Sequence, residues 1–182
     1  MHKQGNNVHF SGDGKFLYVD CSSGISGDMF LSALTDLAGK CGLFDGPAAA
    51  ADASAQPGPQ EGLCASLPAP LAGLQELFRR AGINVTLEIR ALERISGPGL
   101  HLDVLWPDGQ PLRHLEDLTA IIAKLEAPAA VRERAVELLG RLAGAEAAAH
   151  GVDVSQVHFH EVGAIDTLVD GFGACWLLDR VG

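Results

Sequence analysis

Two imidazoles and three carboxylates fall within the short run His158-Phe159-His160-Glu161-Val162-Gly163-Ala164-Ile165-Asp166-Thr167-Leu168-Val169-Asp170. On an extended segment alternate side chains share a face, so His158 and His160 point one way and Phe159 the other, toward a core. Beyond Gly163 the apolar spacing turns helical through Ile165, Leu168, Val169 and Phe172, which sets Asp166 and Asp170 one turn apart on a common face. Like charges so placed cost a helix about 0.2–0.5 kcal/mol unless a cation or hydrogen-bond donors offset them. Imidazole nitrogen with carboxylate oxygen suits Zn, Ni, Mn or Fe, and no nearby thiol points to a structural zinc site. A plainer account stands beside this one: the helix dipole favours Asp166 in a first turn, and strand histidines can simply be hydrogen-bonded.

A second group lies near the N-terminus. Asp20 ends an apolar run, the loop Ser22-Ser23-Gly24-Ile25-Ser26-Gly27 follows, and Asp28 opens a helix. Hydroxyls, glycines and free backbone N–H groups at a helix start form an anion-binding arrangement, so Ser23, Gly24, Ser26 and Gly27 are candidates for holding a phosphate. The loop has neither the lysine of a Walker A motif nor the spacing of a dinucleotide fold, and Ser23 or Ser26 could equally serve as a cap. Asp20 and Asp28 are carboxylates at a strand end, where ligands of α/β folds collect.

The elements that must position these groups are read from periodicity. Strands are expected at 16–20, 85–92, 100–106 and 157–160, the middle two joined by a turn at 96–99. Helices are expected at 29–37, 71–81, 115–125, from Pro128 to 149, and over 164–181. The fourth helix carries a stripe of Val131, Ala135, Leu138, Leu139 and Leu142, and extending it by helical spacing lands on Glu146 and His150, an acid and an imidazole one turn apart. That ending is either fraying or a helix delivering ligands. The pattern describes a single α/β domain over 16–182: a small mixed sheet of about four to five short strands packed with about five helices. Residues 1–15 read as a flexible extension, and 42–70, rich in Ala, Pro, Gly and Gln, as a low-complexity insertion.

Bulk properties narrow the function. A net charge of −10 and no basic patch argue against nucleic acid and anionic membranes and suit a protein that handles cations. Cys21, Cys41, Cys64 and Cys175 form no paired motif, so a reducing, cytoplasmic setting fits. No stretch is apolar enough to cross a membrane. The Ala-rich face of 129–149 is compatible with self-association into a homo-oligomer.

Four blocks resemble one family. Residues 18–30 (Tyr18-Val19-Asp20-Cys21-Ser22-Ser23-Gly24-Ile25-Ser26-Gly27-Asp28-Met29-Phe30), Arg113-His114-Leu115, Ala145-Glu146-Ala147 with His150-Gly151, and 157–170 resemble, in order and spacing, the LarC family of nickel insertion proteins. The resemblance implies an N-terminal portion of an enzyme that inserts nickel into a dithiolated pyridinium mononucleotide. That CTP-dependent reaction, assisted by Mn2+ or Mg2+, yields the nickel-pincer cofactor of lactate racemase. The nucleotide-handling portion is expected beyond the C-terminal end of this chain. Two departures stand out: Ser22 occupies a position usually held by Phe, and the histidine-rich loop common ahead of Arg113 is represented only by His101 and His114.

Residue chemistry and resemblance together give a division of labour. His158, His160 and Glu161, with Asp166, Asp170, Glu146 and His150, would hold or transfer the metal, and the Asp20–Asp28 loop would add carboxylates or cradle the phosphate. Forming a nickel–carbon bond also removes a ring proton; Asp20, Asp28 and Glu161 are the catalytic candidates, with the base left open among these acids and imidazoles. Two other functions remain open: a nickel-binding module or metallochaperone without chemistry, and a metallohydrolase of phosphate esters.

Overall fold

The computed structural model describes residues 17–22, 24–40, 62–63, 67–94, 97–107, 114–157, 159 and 164–181. Among the described residues five α-helices accompany one small antiparallel sheet, and the first two of them pack against it. They are α1 (Gly27–Lys40), α2 (Ala69–Arg80), α3 (Leu115–Lys124), α4 (Ala129–His150) and α5 (Ala164–Val181), and the strands are β1 (Gly62–Leu63), β2 (Thr86–Arg94) and β3 (Gly97–Leu105).

α5 is the central pillar, and its sequence explains why. Residues 171–177 are buried without interruption, so the helix is covered on nearly all sides rather than along one stripe. Glycines let its neighbours approach: a Cβ at Gly173 would stand 3.0 Å from a Leu74 methyl on α2 and 3.1 Å from the Leu31 methyls on α1. Phe172 meets Phe78 edge-on at 5.8 Å, and the Trp176 indole N–H donates to the Pro70 carbonyl, pinning α2 to the same helix.

β2 and β3 form a hairpin with Thr86 opposite Leu105 and Arg94 opposite Gly97, so β3 begins three residues earlier than the alternating pattern suggests. Pro98 is thereby inside a strand, tolerated because β3 is an edge. That free edge is covered by α1: the Ser32 hydroxyl accepts from the Leu102 N–H at 3.0 Å and donates to the Asp28 carbonyl at 2.7 Å. On the other flank β1 pairs with Ala91 and Arg90, and the Gln75 amide oxygen of α2 accepts from the Leu87 N–H at 2.7 Å.

The expected sheet of four to five mixed strands is therefore corrected. It contains two full antiparallel strands with a two-residue third at the edge. Residues 17–20 form no strand, and Tyr18, Val19 and Asp20 are exposed, because both flanks of the hairpin are already occupied. Val157 and Phe159 likewise lack a ladder, yet both are buried, at 5% and 3% exposure, so the two-residue alternation survives without pairing.

The helices lie close to their expected places. β1 and the start of α2 fall within the stretch read as a low-complexity insertion, while the extension at 1–15 lies outside the described residues. On α4 the stripe runs through Val131, Ala135, Leu139, Ala143 and Ala147, leaving Leu138 and Leu142 exposed. No helix among the described residues is long and apolar enough to cross a membrane.

Candidate metal centre

Three carboxylates from two helices meet where α1 begins. The Ser26 carbonyl accepts from the Phe30 N–H at 3.0 Å, making Ser26 the residue that starts the helix, and its hydroxyl bonds the Asp28 carboxylate in the first turn. Gly27 has no side chain, and Asp170 of α5 fills that space: a Cβ at Gly27 would lie 2.5 Å from the Asp170 Cβ and 2.7 Å from its Cγ. The Asp28 backbone N–H donates to the Asp170 carboxyl, which therefore sits at the positive end of α1. Asp166, one turn earlier on α5, completes the group and shares the field of Asp28.

Burial, and then the Asp28 charge, raises the Asp166 carboxyl to about 6. Burial, then the charges of Asp28 and Asp166, raises Asp170 to about 7, the bond from Asp28 N–H acting against this. Asp170 Oδ1 is buried and has no hydrogen-bond partner among the described residues. Repulsion at this junction is thus offset either by protons or by a cation.

β3 adds an imidazole. His101 and Asp103 share a face of the strand, with His101 Nε2 3.4 Å from Asp103 Oδ1 and Nδ1 3.9 Å from Asp28 Oδ2. Arg90, across the hairpin, grips Asp103 with two bonds of 2.6 and 2.8 Å and holds that carboxyl below its usual range. The chain Arg90–Asp103–His101–Asp28 therefore ties the acid cluster to the sheet. His101 was not among the residues expected at the site; the alternation that places it beside Asp103 was the available signal.

The other expected residues are placed as follows. His158, His160, Glu161 and Ser23 lie outside the described residues. Glu146 and His150 pair with each other at 3.4 Å on the exposed side of α4, because the buried stripe passes through Ala143 and Ala147 instead. Asp20 accepts from the Ser22 N–H at 2.9 Å, fully exposed, and hydrogen bonds from Ser22 lower its pKa, which makes it a poor proton acceptor. Gly24 closes a turn on the Cys21 carbonyl at 3.0 Å with φ of 83°. His114 starts α3, and its Nδ1 lies 3.1 Å from the Val157 carbonyl, anchoring the chain immediately before His158. Cys21 and Cys175 are free thiols.

Oxygen donors with one imidazole suit a hard or borderline divalent ion. The described residues do not themselves close a group of three or more His, Cys, Asp or Glu side chains around one ion-sized point. Both raised carboxyls bind protons in the fold that an unfolded chain would release, so stability falls as pH rises from about 4 to 7. A cation displaces those protons. Affinity for a divalent cation at this junction is expected to weaken about tenfold per pH unit below 7 for each proton it must displace. Calorimetry in buffers of differing ionisation enthalpy should show about one proton released at pH 6.5; none released would place the cation elsewhere.

Comparison with known proteins follows the same lines. The family profile described as nickel insertion protein matches residues 17–53 and 62–182. Proteins of two Desulfitobacterium hafniense strains, named pyridinium-3,5-bisthiocarboxylic acid mononucleotide nickel insertion protein, are 36% identical over 172 residues, covering 92% of this chain and 35% of theirs. A Roseiflexus castenholzii protein, provisionally named for nickel insertion, is 36% identical over 170 residues, again 92% of this chain and 35% of its own. The chain thus spans about a third of the length of these curated relatives. No solved structure matches it.

Proposed function

This chain belongs to the nickel insertion protein family, and from that membership we propose that it is the metal-handling part of an enzyme placing nickel into a pyridinium-3,5-bisthiocarboxylic acid mononucleotide. The observation that carries the reading is the convergence of Asp28, Asp166 and Asp170 at the start of α1, where two carboxyls hold protons to near neutrality. Nickel enters as a substrate. Asp28, Asp166 and Asp170 receive it through oxygen, His101 stands beside them, and His158, His160 and Glu161, on the segment that His114 anchors, supply nitrogen and a further carboxylate.

Nickel bound mainly by oxygen and imidazole exchanges readily to thiocarboxylate sulfur, the softer donor, which drives transfer toward the organic substrate. Closing a nickel–carbon bond releases one ring proton. A carboxylate at Asp28, Asp170 or Glu161 accepts it. CTP with Mn2+ or Mg2+ is assigned to the remaining portion of the longer relatives, and the setting is the cytoplasm. Because the chain matches only about a third of those relatives, a metal-carrying role without turnover is the second reading.

A nickel titration of the wild type against His158→Ala plus His160→Ala, paired with an assay in which the complementary portion and CTP are supplied, tests both. The expected results are weakened nickel binding in the double variant and nickel incorporated into the thiolated pyridinium by the wild type, followed by mass spectrometry. Nickel binding without incorporation leaves the carrier role. Phosphate-ester hydrolysis without CTP would return the function to a metallohydrolase.

A further inference from the structure

A groove of about 550 Å³ runs between α4 and α5 and ends at the acid cluster, with Gly27 and Asp170 in its inner wall. Its volume lies within the range of small-molecule sites. The walls are apolar, formed by Phe30, Leu138, Leu139, Leu142, Ala174 and Leu178. Polar atoms collect at the inner end. The Thr167 hydroxyl is in a residue only 6% exposed and finds no partner among the described residues, and Asp170 Oδ1 is likewise unmatched. Buried polar atoms call for partners, and these two lie where the polar groups of a bound molecule would reach.

The groove also has a direction. Gly171 faces Leu138 and Leu139, and Arg134 stands 4.0 Å from Asp179, so α4 and α5 run antiparallel with Asp170 at one end and Arg134 at the other. Eight residues of α5 separate Asp170 from Leu178, a span of about 12 Å along the helix, comparable to a mononucleotide from ring edge to phosphate. Charge along the lining is mixed: Asp170 at the inner end, the Glu137–Arg141 pair on α4, and at the outer end Arg134, which also faces Asp179. The start of α1 is closed to a phosphate by the Asp170 carboxylate that already sits there.

We propose that the groove between α4 and α5 seats a pyridinium mononucleotide, with its cationic ring and thiocarboxylate edge at Asp170 and Thr167 and its phosphate at Arg134. The proposal rests on the nickel insertion reading and adds where the organic substrate lies. The Thr167 hydroxyl donates to a thiocarboxylate, and the apolar walls cover the ring faces while Asp170 and its neighbours hold the metal at the ring edge.

Nicotinic acid mononucleotide and its phosphate-free riboside serve as probes, titrated into this chain with methyl-labelled leucine and followed by NMR. Shifts are expected at Leu138, Leu142 and Leu178. Leu138→Glu, at a position 43% exposed and so compatible with folding, is expected to weaken mononucleotide binding at least tenfold. Arg134→Gln should weaken the mononucleotide at least fivefold and the riboside less than twofold. Shifts confined to other leucines, unchanged affinity in Leu138→Glu, or no saturable binding up to millimolar mononucleotide would overturn the assignment. So would conversion of a wild-type dimer to a monomer by Leu138→Glu, which would give the groove to a second copy. Nickel titration of the same proteins separates the two claims: nickel bound but mononucleotide not bound defeats only the groove, whereas loss of nickel binding in the wild type defeats the nickel reading.

Discussion

Replacing Asp166 and Asp170 together by asparagine is expected to abolish useful nickel binding while making the apo protein more stable at neutral pH. The double variant loses two anionic donors from the junction, and affinity should fall about 100-fold or more, beyond the range usual for residues that only support a ligand. Asparagine keeps the shape and a carbonyl oxygen, so the bond from the Asp28 N–H survives. Stability moves the other way. Wild-type carboxyls at about 6 and about 7 must ionise at pH 7.5 against burial and the Asp28 charge. Removing that requirement should raise stability by about 1–2 kcal/mol, a figure reduced for the partial exposure of both groups. At pH 4 both wild-type carboxyls are protonated and the gain should vanish. Urea unfolding at the two pH values with calorimetric nickel titration measures both halves; a variant no more stable at pH 7.5 than wild type would show that the acids are not in conflict.

Gly27→Val should be the most damaging single change on α1. No backbone strain is involved at this position; the obstacle is the Asp170 side chain, which occupies the space a Cβ needs, 2.5 Å from its own Cβ. One helix must move off the other. Overpacking of this kind costs about 1–3 kcal/mol, and because α1 carries Asp28 and α5 carries Asp166 and Asp170, nickel affinity should drop at least tenfold as well. Gly24→Ala provides the contrast, since Gly24 has φ of 83° but no heavy atom within 4 Å of an added Cβ. Its cost is backbone strain alone, about 1–2 kcal/mol. Equal unfolding midpoints for Gly27→Val and wild type would mean that α1 and α5 are not packed as described.

What could be read from the residues and what could not divides along physical lines. α5 was legible because Ile165, Leu168, Val169 and Phe172 recur at helical spacing, and the β2–β3 hairpin because alternation with turn residues has few other meanings. α4 was placed correctly but rotated: Leu138 and Leu142 carry more hydrophobic signal than Ala143 and Ala147, yet the alanines are the ones that let neighbours approach. That rotation is why Glu146 and His150 emerge in each other's company on an exposed face. Residues 17–20, and likewise Val157 and Phe159, have strand composition without a ladder, since pairing needs a free edge, a property of the assembled sheet. At the centre itself, the spacing of Asp166 and Asp170 was local and readable, and the Asp20–Asp28 loop was expected to add carboxylates; the place of His101, on β3, was tertiary and was not legible.

The hydroxyl of Ser32 on Leu102 and the amide of Gln75 on Leu87 have one further consequence. A two-strand ribbon is the kind of surface on which neighbouring molecules zip together into fibres, and here each flank is stoppered by a side chain borrowed from a helix. Polymerisation through these amides is therefore blocked without a single charged residue at either stopper.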